Sequence, residues 1–198
     1  MNASRNTGSS MIEVLITIVI LMIGLLGLAG LQGRAFTSQL EAYQRSQALI
    51  LLRDMESRIN ANRNNAALYL TTTVVPLGLG TVSGVAAPPC PFVATPTGNA
   101  IADNDLCEWH AALLGAAEKD TGANNVGAMI GARGCIAQSG VPVAGAASEY
   151  LVAVAWQGLN STAALTNGPA AACGSGQYGS DDKRRLVVLP VSIGCLAC

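Results

Sequence analysis

The strongest constraint on this chain is an uncharged run of twenty residues, Val14 to Gly33, which follows a single carboxylate at Glu13. At 1.5 Å per residue, an α-helix of this length crosses the ~30 Å hydrocarbon core of a bilayer. The run therefore predicts a membrane span near the N-terminus. It leaves ~165 residues, which suits one further domain rather than two.

The charge composition argues against a nucleic-acid partner. The net charge is −1, and two lysines and eight aromatic residues are scattered along the chain. No basic face with stacking rings is present for DNA or RNA.

The only histidine, His110, has no acid or serine at a telling spacing, and we interpret it as an exposed helix position. We therefore expect a non-enzymatic protein without a cofactor.

All six cysteines follow the predicted span: Cys90, Cys107, Cys135, Cys173, Cys195 and Cys198. This placement favours an oxidising compartment for the domain after the span and a cytoplasmic N-terminus. Structural disulfides are expected, and six cysteines allow 15 pairings. We favour Cys90 with Cys107, and a bridge through Cys173 that holds the 158–184 loop to the C-terminus.

Two motifs have alternative readings. Cys195 and Cys198 have the spacing of a thioredoxin dithiol or a zinc knuckle, but no second close pair is present for zinc. Asp103 begins an acidic stretch, but an EF-hand loop starting there needs Glu at 114, which is Leu. No metal site is predicted. Residues 181–185 (DDKRR) are interpreted as a solvated turn before a strand, with a subunit contact as the alternative.

Near the N-terminus, Gly8 is followed by two small residues, Met-Ile, Glu13 and an apolar run. In this order these residues resemble the class III signal of type IV prepilins. The resemblance implies cleavage between Gly8 and Ser9 by a prepilin peptidase, then N-methylation of Ser9. Most pilins have phenylalanine where this chain has Ser9. Residues 28–35 contain no clear A-x-A site of an ordinary secretory signal.

Glu13 raises a question of energetics that is independent of the family. A carboxylate at mid-bilayer costs ~2.5–3.5 kcal/mol on insertion scales, so an acid within the run is a functional candidate. In an assembled filament, the new α-amine at Ser9 of a neighbouring subunit is the partner that offsets this charge. The alternative is that Glu13 lies at the headgroup level and snorkels.

The helix is predicted to continue past the membrane. No proline occurs between Ser10 and about Asn64, and an apolar stripe recurs at helical spacing with Arg and Glu between its members. The alternative is an unrelated juxtamembrane helix after the span. Four glycines punctuate the span at three-residue intervals, which fits either close helix packing or a segment that stretches on leaving lipid: Gly24, Gly27, Gly30 and Gly33.

Short elements are predicted in the remaining chain. Residues 69–75 form a strand pattern, and residues 76–98 a proline-rich loop. Asp105 and Glu108 have capping-box spacing, which predicts a helix over 106–118. Three further strands are expected at 134–139, 149–157 and 185–193. Pro190 marks the last as an edge strand or as the site of a bulge.

This order of elements predicts an α+β fold. A long N-terminal helix, membrane-spanning in its first half, packs against a small antiparallel sheet, with loops held by disulfides. The type IV pilin fold has this architecture, and the chain resembles the minor pilin PilV group at residues 24–32, 53–63, 107–110, 133–136 and 154–158. The predicted segments are a leader (1–8), a span (9–33), an amphipathic half-helix (34–64) and a head (65–198).

The resemblance implies a minor pilin that primes assembly and incorporates near the tip of a type IV pilus. Its implied partners are other minor pilins, the major pilin, the peptidase and methyltransferase, the inner-membrane assembly platform and a tip adhesin. The implied location is the bacterial inner membrane, with a periplasmic head, and then the pilus. Two alternatives stay open: a type II secretion pseudopilin and a membrane-tethered thiol oxidoreductase using Cys195 and Cys198.

Overall fold

A computed structural model describes residues 10–71, 78–80, 99–116, 120–122, 125, 129–140, 147–164, 168 and 170–194. The chain divides into two compact units, Met1–Ala42 and Tyr43–Cys198. The first contains the N-terminal part of one long helix. The second, which we call the head, contains the end of that helix, a shorter helix and a sheet.

Helix α1, Met11–Ala61, confirms the long N-terminal helix. Asn62 follows it, and a 3-10 helix then covers Arg63–Tyr69. The predicted strand at 69–75 is wrong at its start, because Tyr69 ends that 3-10 helix. Thr71 does bond to the sheet, since its N–H donates to the Ile136 carbonyl at 3.0 Å. Residues 72–77 lie outside the described part.

The sheet is antiparallel, with strand order β1-β2-β3-β4. Its strands are β1 (Leu79–Gly80), β2 (Arg133–Ser139), β3 (Ser148–Gln157) and β4 (Arg184–Ile193). The three longer strands confirm the predicted ones, and Pro190 lies on an edge strand as expected. The two-residue β1 falls inside the stretch predicted as loop, because two residues carry no periodic pattern.

One face of the sheet packs against helices. On β3 the alternating side chains Tyr150, Val152, Val154 and Trp156 are buried in one cluster with α1 side chains, which are Ala48, Leu52, Met55 and Ile59. This confirms the predicted packing of β3 against a helix. Every second residue of a strand points to the same face, and every third or fourth residue of a helix lies on the same side. These two sets of side chains, one from β3 and one from α1, pack against each other there.

Helix α2, Ala100–Leu113, also packs on this face. Its Trp109 donates from Nε1 to the Leu51 carbonyl at 3.0 Å. The predicted start at 106 is wrong: Asn99 caps the helix, and its side-chain oxygen accepts from the N–H groups of residues 101 and 102. Asparagine satisfies the first free N–H groups as Asp105 would have done, but two turns earlier.

Candidate functional site

The first compact unit, Met1–Ala42, contains Glu13 and the apolar run Val14–Gly33, which together we call the candidate assembly segment. From Met11 onward its large apolar side chains are exposed, with Leu26 at 74%. In the described residues, α1 is the one helix that is long and apolar enough to cross a membrane. Glu13 lies in its first turn and is exposed. Gly8 and Ser9, the predicted processing residues, lie outside the described part of the chain.

A polar cluster joins α1 to α2 in the head. Arg58 donates from Nε to Asp54 at 3.0 Å, and from Nη1 to Asp105 at 2.9 Å and to Glu108 at 2.6 Å. Tyr69 donates its hydroxyl to Asp105. The hydrogen bond from Arg58 lowers the pKa of Glu108. Burial, with the hydrogen bond to Asp105, raises the pKa of Tyr69 to about 12. The cluster therefore fixes how the two helices pack.

His110 is not the exposed position that the sequence predicted. It is 2% exposed, and its Nδ1 accepts the Gly80 N–H at 2.9 Å. Burial lowers the pKa of its imidazole, which favours the neutral form that this bond requires. The prediction failed because the residue that covers His110 lies thirty positions away. His110 therefore links α2 to the edge strand β1.

The structure joins Cys135 to Cys173, with their Cα atoms 5.8 Å apart. The predicted bridge from Cys173 to the C-terminus is therefore wrong, because Cys173 pairs with β2. Cys107 is also disulfide-bonded. Cys90, its predicted partner, lies outside the described residues, as do Cys195 and Cys198 of the proposed redox pair.

The Cys135–Cys173 bridge holds a turn-rich segment, residues 170–183, over the second face of the sheet. Tyr178 is buried there and donates its hydroxyl to the Gly131 carbonyl at 3.0 Å. Arg184 pairs with Asp181 at 2.6 Å and donates to the Cys173 carbonyl at 3.0 Å. Since Arg184 is fully buried, the interpretation of residues 181–185 as a solvated turn is wrong at this position.

Sequence reasoning overlooked the roles of Arg58 and the buried Arg133, and it placed the buried Arg184 in a solvated turn. Arg58 had a local signal, because Asp54 stands four residues earlier on the same helix. Arg133 had none, since its partner Gln177 lies in a separate segment, forty-four residues away. Arg184 had one in Asp181, three residues earlier, but its bond to the Cys173 carbonyl depends on how the 170–183 segment folds. No group of three or more potential ligands for a metal ion occurs among the described residues.

Comparison with protein families places part of the chain in a known family model. Residues 30–107 match a family model described as Tt1218-like, type IV pilin Tt1218. No curated protein and no solved structure matches the chain. The matched segment contains the end of the apolar run, the half of α1 that enters the head, and the start of α2. Over these residues the chain is similar to type IV pilins, and the match supports a pilin subunit.

Proposed function

We propose that this chain is a minor type IV pilin. It is made with a cytoplasmic leader of residues 1–8, is anchored in the inner membrane by residues 9–33, and exposes residues 65–198 to the periplasm. The amphipathic segment 34–64 joins the two. Assembly then moves the subunit from lipid into a pilus, near the tip, where it meets other minor pilins, the major pilin and an adhesin. The role is structural and involves no catalysis.

The match to a type IV pilin family over residues 30–107 carries this proposal. Two features of the chain add to it. Helix α1 exposes its apolar side chains over the first compact unit, which suits lipid or the interior of a filament. The same helix buries a stripe against a small antiparallel sheet in the head.

Glu13 is the proposed assembly contact. Cleavage after Gly8 creates an α-amine at Ser9, and methylation leaves that nitrogen cationic. A cationic amine on a neighbouring subunit offsets a carboxylate in a low-dielectric interior and satisfies its oxygens. Membrane insertion does not require this pair, since Glu13 lies in the first turn, where the headgroups are near.

The processing step is tested by the intact mass and N-terminal sequence of the mature protein, taken from membranes and from sheared pili. We expect loss of residues 1–8 and a methylated Ser9. A retained Met1, or cleavage near residue 33, contradicts the proposal. The prepilin peptidase and methyltransferase are the expected partners for this step.

The assembly step is tested by Glu13→Ala, with Thr17→Ala as the matched control one turn further along α1. Hydrogen bonds to charged groups contribute ~1.5–3 kcal/mol, so Glu13→Ala should lower incorporation into pili by about tenfold or more. Membrane insertion and processing should stay intact. Equal incorporation of Glu13→Ala and the control rejects this role.

Location separates the pilin from the pseudopilin of a type II secretion system. Both share the N-terminal processing, so the mass measurement does not distinguish them. Proteomics of sheared pili does, because a minor pilin is recovered with the major pilin. Recovery with secretion-system components, and absence from pili, favours the pseudopilin.

A further inference from the structure

The sheet has two edges that differ in length. At one end, β1 covers two residues of β2, and Thr71 bonds to Ile136 beyond it. At the other end, β4 pairs with β3 along all ten of its residues. Within the described residues no strand pairs with the outer side of β4. An edge of this length is a template for a further strand.

The backbone groups that point outward from β4 follow from two observations. The Gln157 N–H donates to the Ile130 carbonyl, on the side of β3 away from β4. Gln157 is opposite Arg184, and its N–H points away from β4, so the two residues are not hydrogen-bonded to each other. Arg184 and every second residue after it therefore direct their N–H and C=O groups outward from β4. Pro190 belongs to the same alternate set and has no N–H to donate, which fits an outward position.

The outer edge therefore offers N–H groups at Leu186, Val188 and Ser192, and carbonyls at these residues and at Pro190. Alternate residues of a strand are about 6.8 Å apart, a spacing that another extended backbone matches. Val188 is 38% exposed, and Pro190 and Ser192 are also exposed. No charged side chain occurs from Leu186 to Ile193, so Pro190 is the one common guard against strand addition on this stretch.

We propose that the outer edge of β4, from Leu186 to Ser192, accepts an extended, uncharged segment of a different subunit of the pilus. This inference rests on the proposed function. The absence of charge along the edge matches an uncharged segment. A second copy of β4 fits less well, because antiparallel self-pairing places a proline without an N–H on both strands. A separate strand meets Pro190 once.

The test removes one outward N–H without touching the β3–β4 ladder. Val188→Pro does this at a position equivalent to that of Pro190, and Val188→Thr is the matched control that keeps the N–H. Full-length chains are expressed in place of the natural one, and near-ultraviolet circular dichroism of the purified protein checks the fold. We expect Val188→Pro to be recovered from sheared pili at about one tenth of the control level or less.

A second variant covers the case in which Val188→Pro does not fold. Val188→Lys keeps the N–H but places a charge where the side chains of an added strand would pack. It should also reduce recovery. Wild-type recovery of both variants overturns the inference while leaving the proposed function intact. Absence of the unmodified chain from pili rejects the proposed function itself.

The partner is identified by a photo-crosslinking residue at Ser192, with Asn104, exposed on α2, as the control site. In pili we expect an adduct at 192, mapped by mass spectrometry to an uncharged segment of another subunit and lost in Val188→Pro. An adduct between two β4 strands overturns the choice of partner. Equal adducts from both sites overturn the edge as the contact.

Discussion

The two compact units treat apolar side chains in opposite ways. In Met1–Ala42, the described apolar residues of α1 are exposed, whereas in Tyr43–Cys198 the same helix buries every third or fourth side chain. Polar groups differ too. Glu13 is the one charged residue in α1 before Arg34, while in the head Arg58 engages three carboxylates.

This difference shows that the two parts of α1 have side-chain patterns suited to different surroundings. The first part places no polar pattern around its axis, which suits a surrounding that is apolar on every side. The second part has an apolar stripe and a polar flank, which suits a helix between a sheet and water. A substitution of the same type should therefore have different effects in the two units.

The largest effect is expected from a leucine pair on α1. Leu52 is fully buried in the head, so Leu52→Ala leaves a cavity and should lower the free energy of unfolding by ~2–5 kcal/mol. Leu25 is 64% exposed, and Leu25→Ala should leave the head unaffected. Near-ultraviolet circular dichroism reports on the head, because both tryptophans lie there. Equal shifts in the melting temperature of the full-length variants would contradict the comparison.

The sequence predicted the elements whose patterns are local. The proline-free stretch indicated α1, and the alternation in β3 identified the face that meets it. Two positions fixed by distant partners were mispredicted: His110 was expected in solvent, and Cys173 was paired with the C-terminus. Asn99 was overlooked as a cap although its bonds to the N–H groups of residues 101 and 102 are local. Composition and spacing carry no information on which loop returns to which strand. The apolar run of the candidate assembly segment could be predicted because it is a local feature of the sequence and needs no partner within the chain.

A glycine pair sharpens the comparison at smaller magnitude. A Cβ on Gly134 would clash with the Trp109 ring, so Gly134→Ala forces the ring or β2 to move, at a cost of ~1–3 kcal/mol in the free energy of unfolding. A Cβ on Gly27 meets nothing within 4 Å, and Gly27→Ala favours the helix by ~1 kcal/mol. Denaturant unfolding of the full-length variants should show a loss for the first and none for the second. Tolerance of Gly134→Ala would mean that the packing of α2 on β2 is loose.

The smallest effect is expected from pH, and it should arise in the head. His110 in the folded protein has a pKa below the ordinary value of 6.5, because burial disfavours its charged form. At a pH between the folded pKa and 6.5, the unfolded chain binds more protons than the folded protein does, so the free energy of unfolding rises with pH in this range. The stabilising contribution of neutral His110 to the free energy of unfolding is complete above about pH 6.5, and it is lost as the pH falls from that value toward the folded pKa.

His110→Asn provides the control, since its amide oxygen still accepts a bond from Gly80 but does not titrate. Thermal unfolding between pH 7.5 and 5.5 should show a falling melting temperature for the natural chain and a flat one for the variant. The carboxyl pKa values of Glu108, Asp181 and Asp182 are lowered, so these groups stay ionised over this window. A slope that persists in His110→Asn would assign the pH dependence to another group and remove the link between α2 and β1 as its cause.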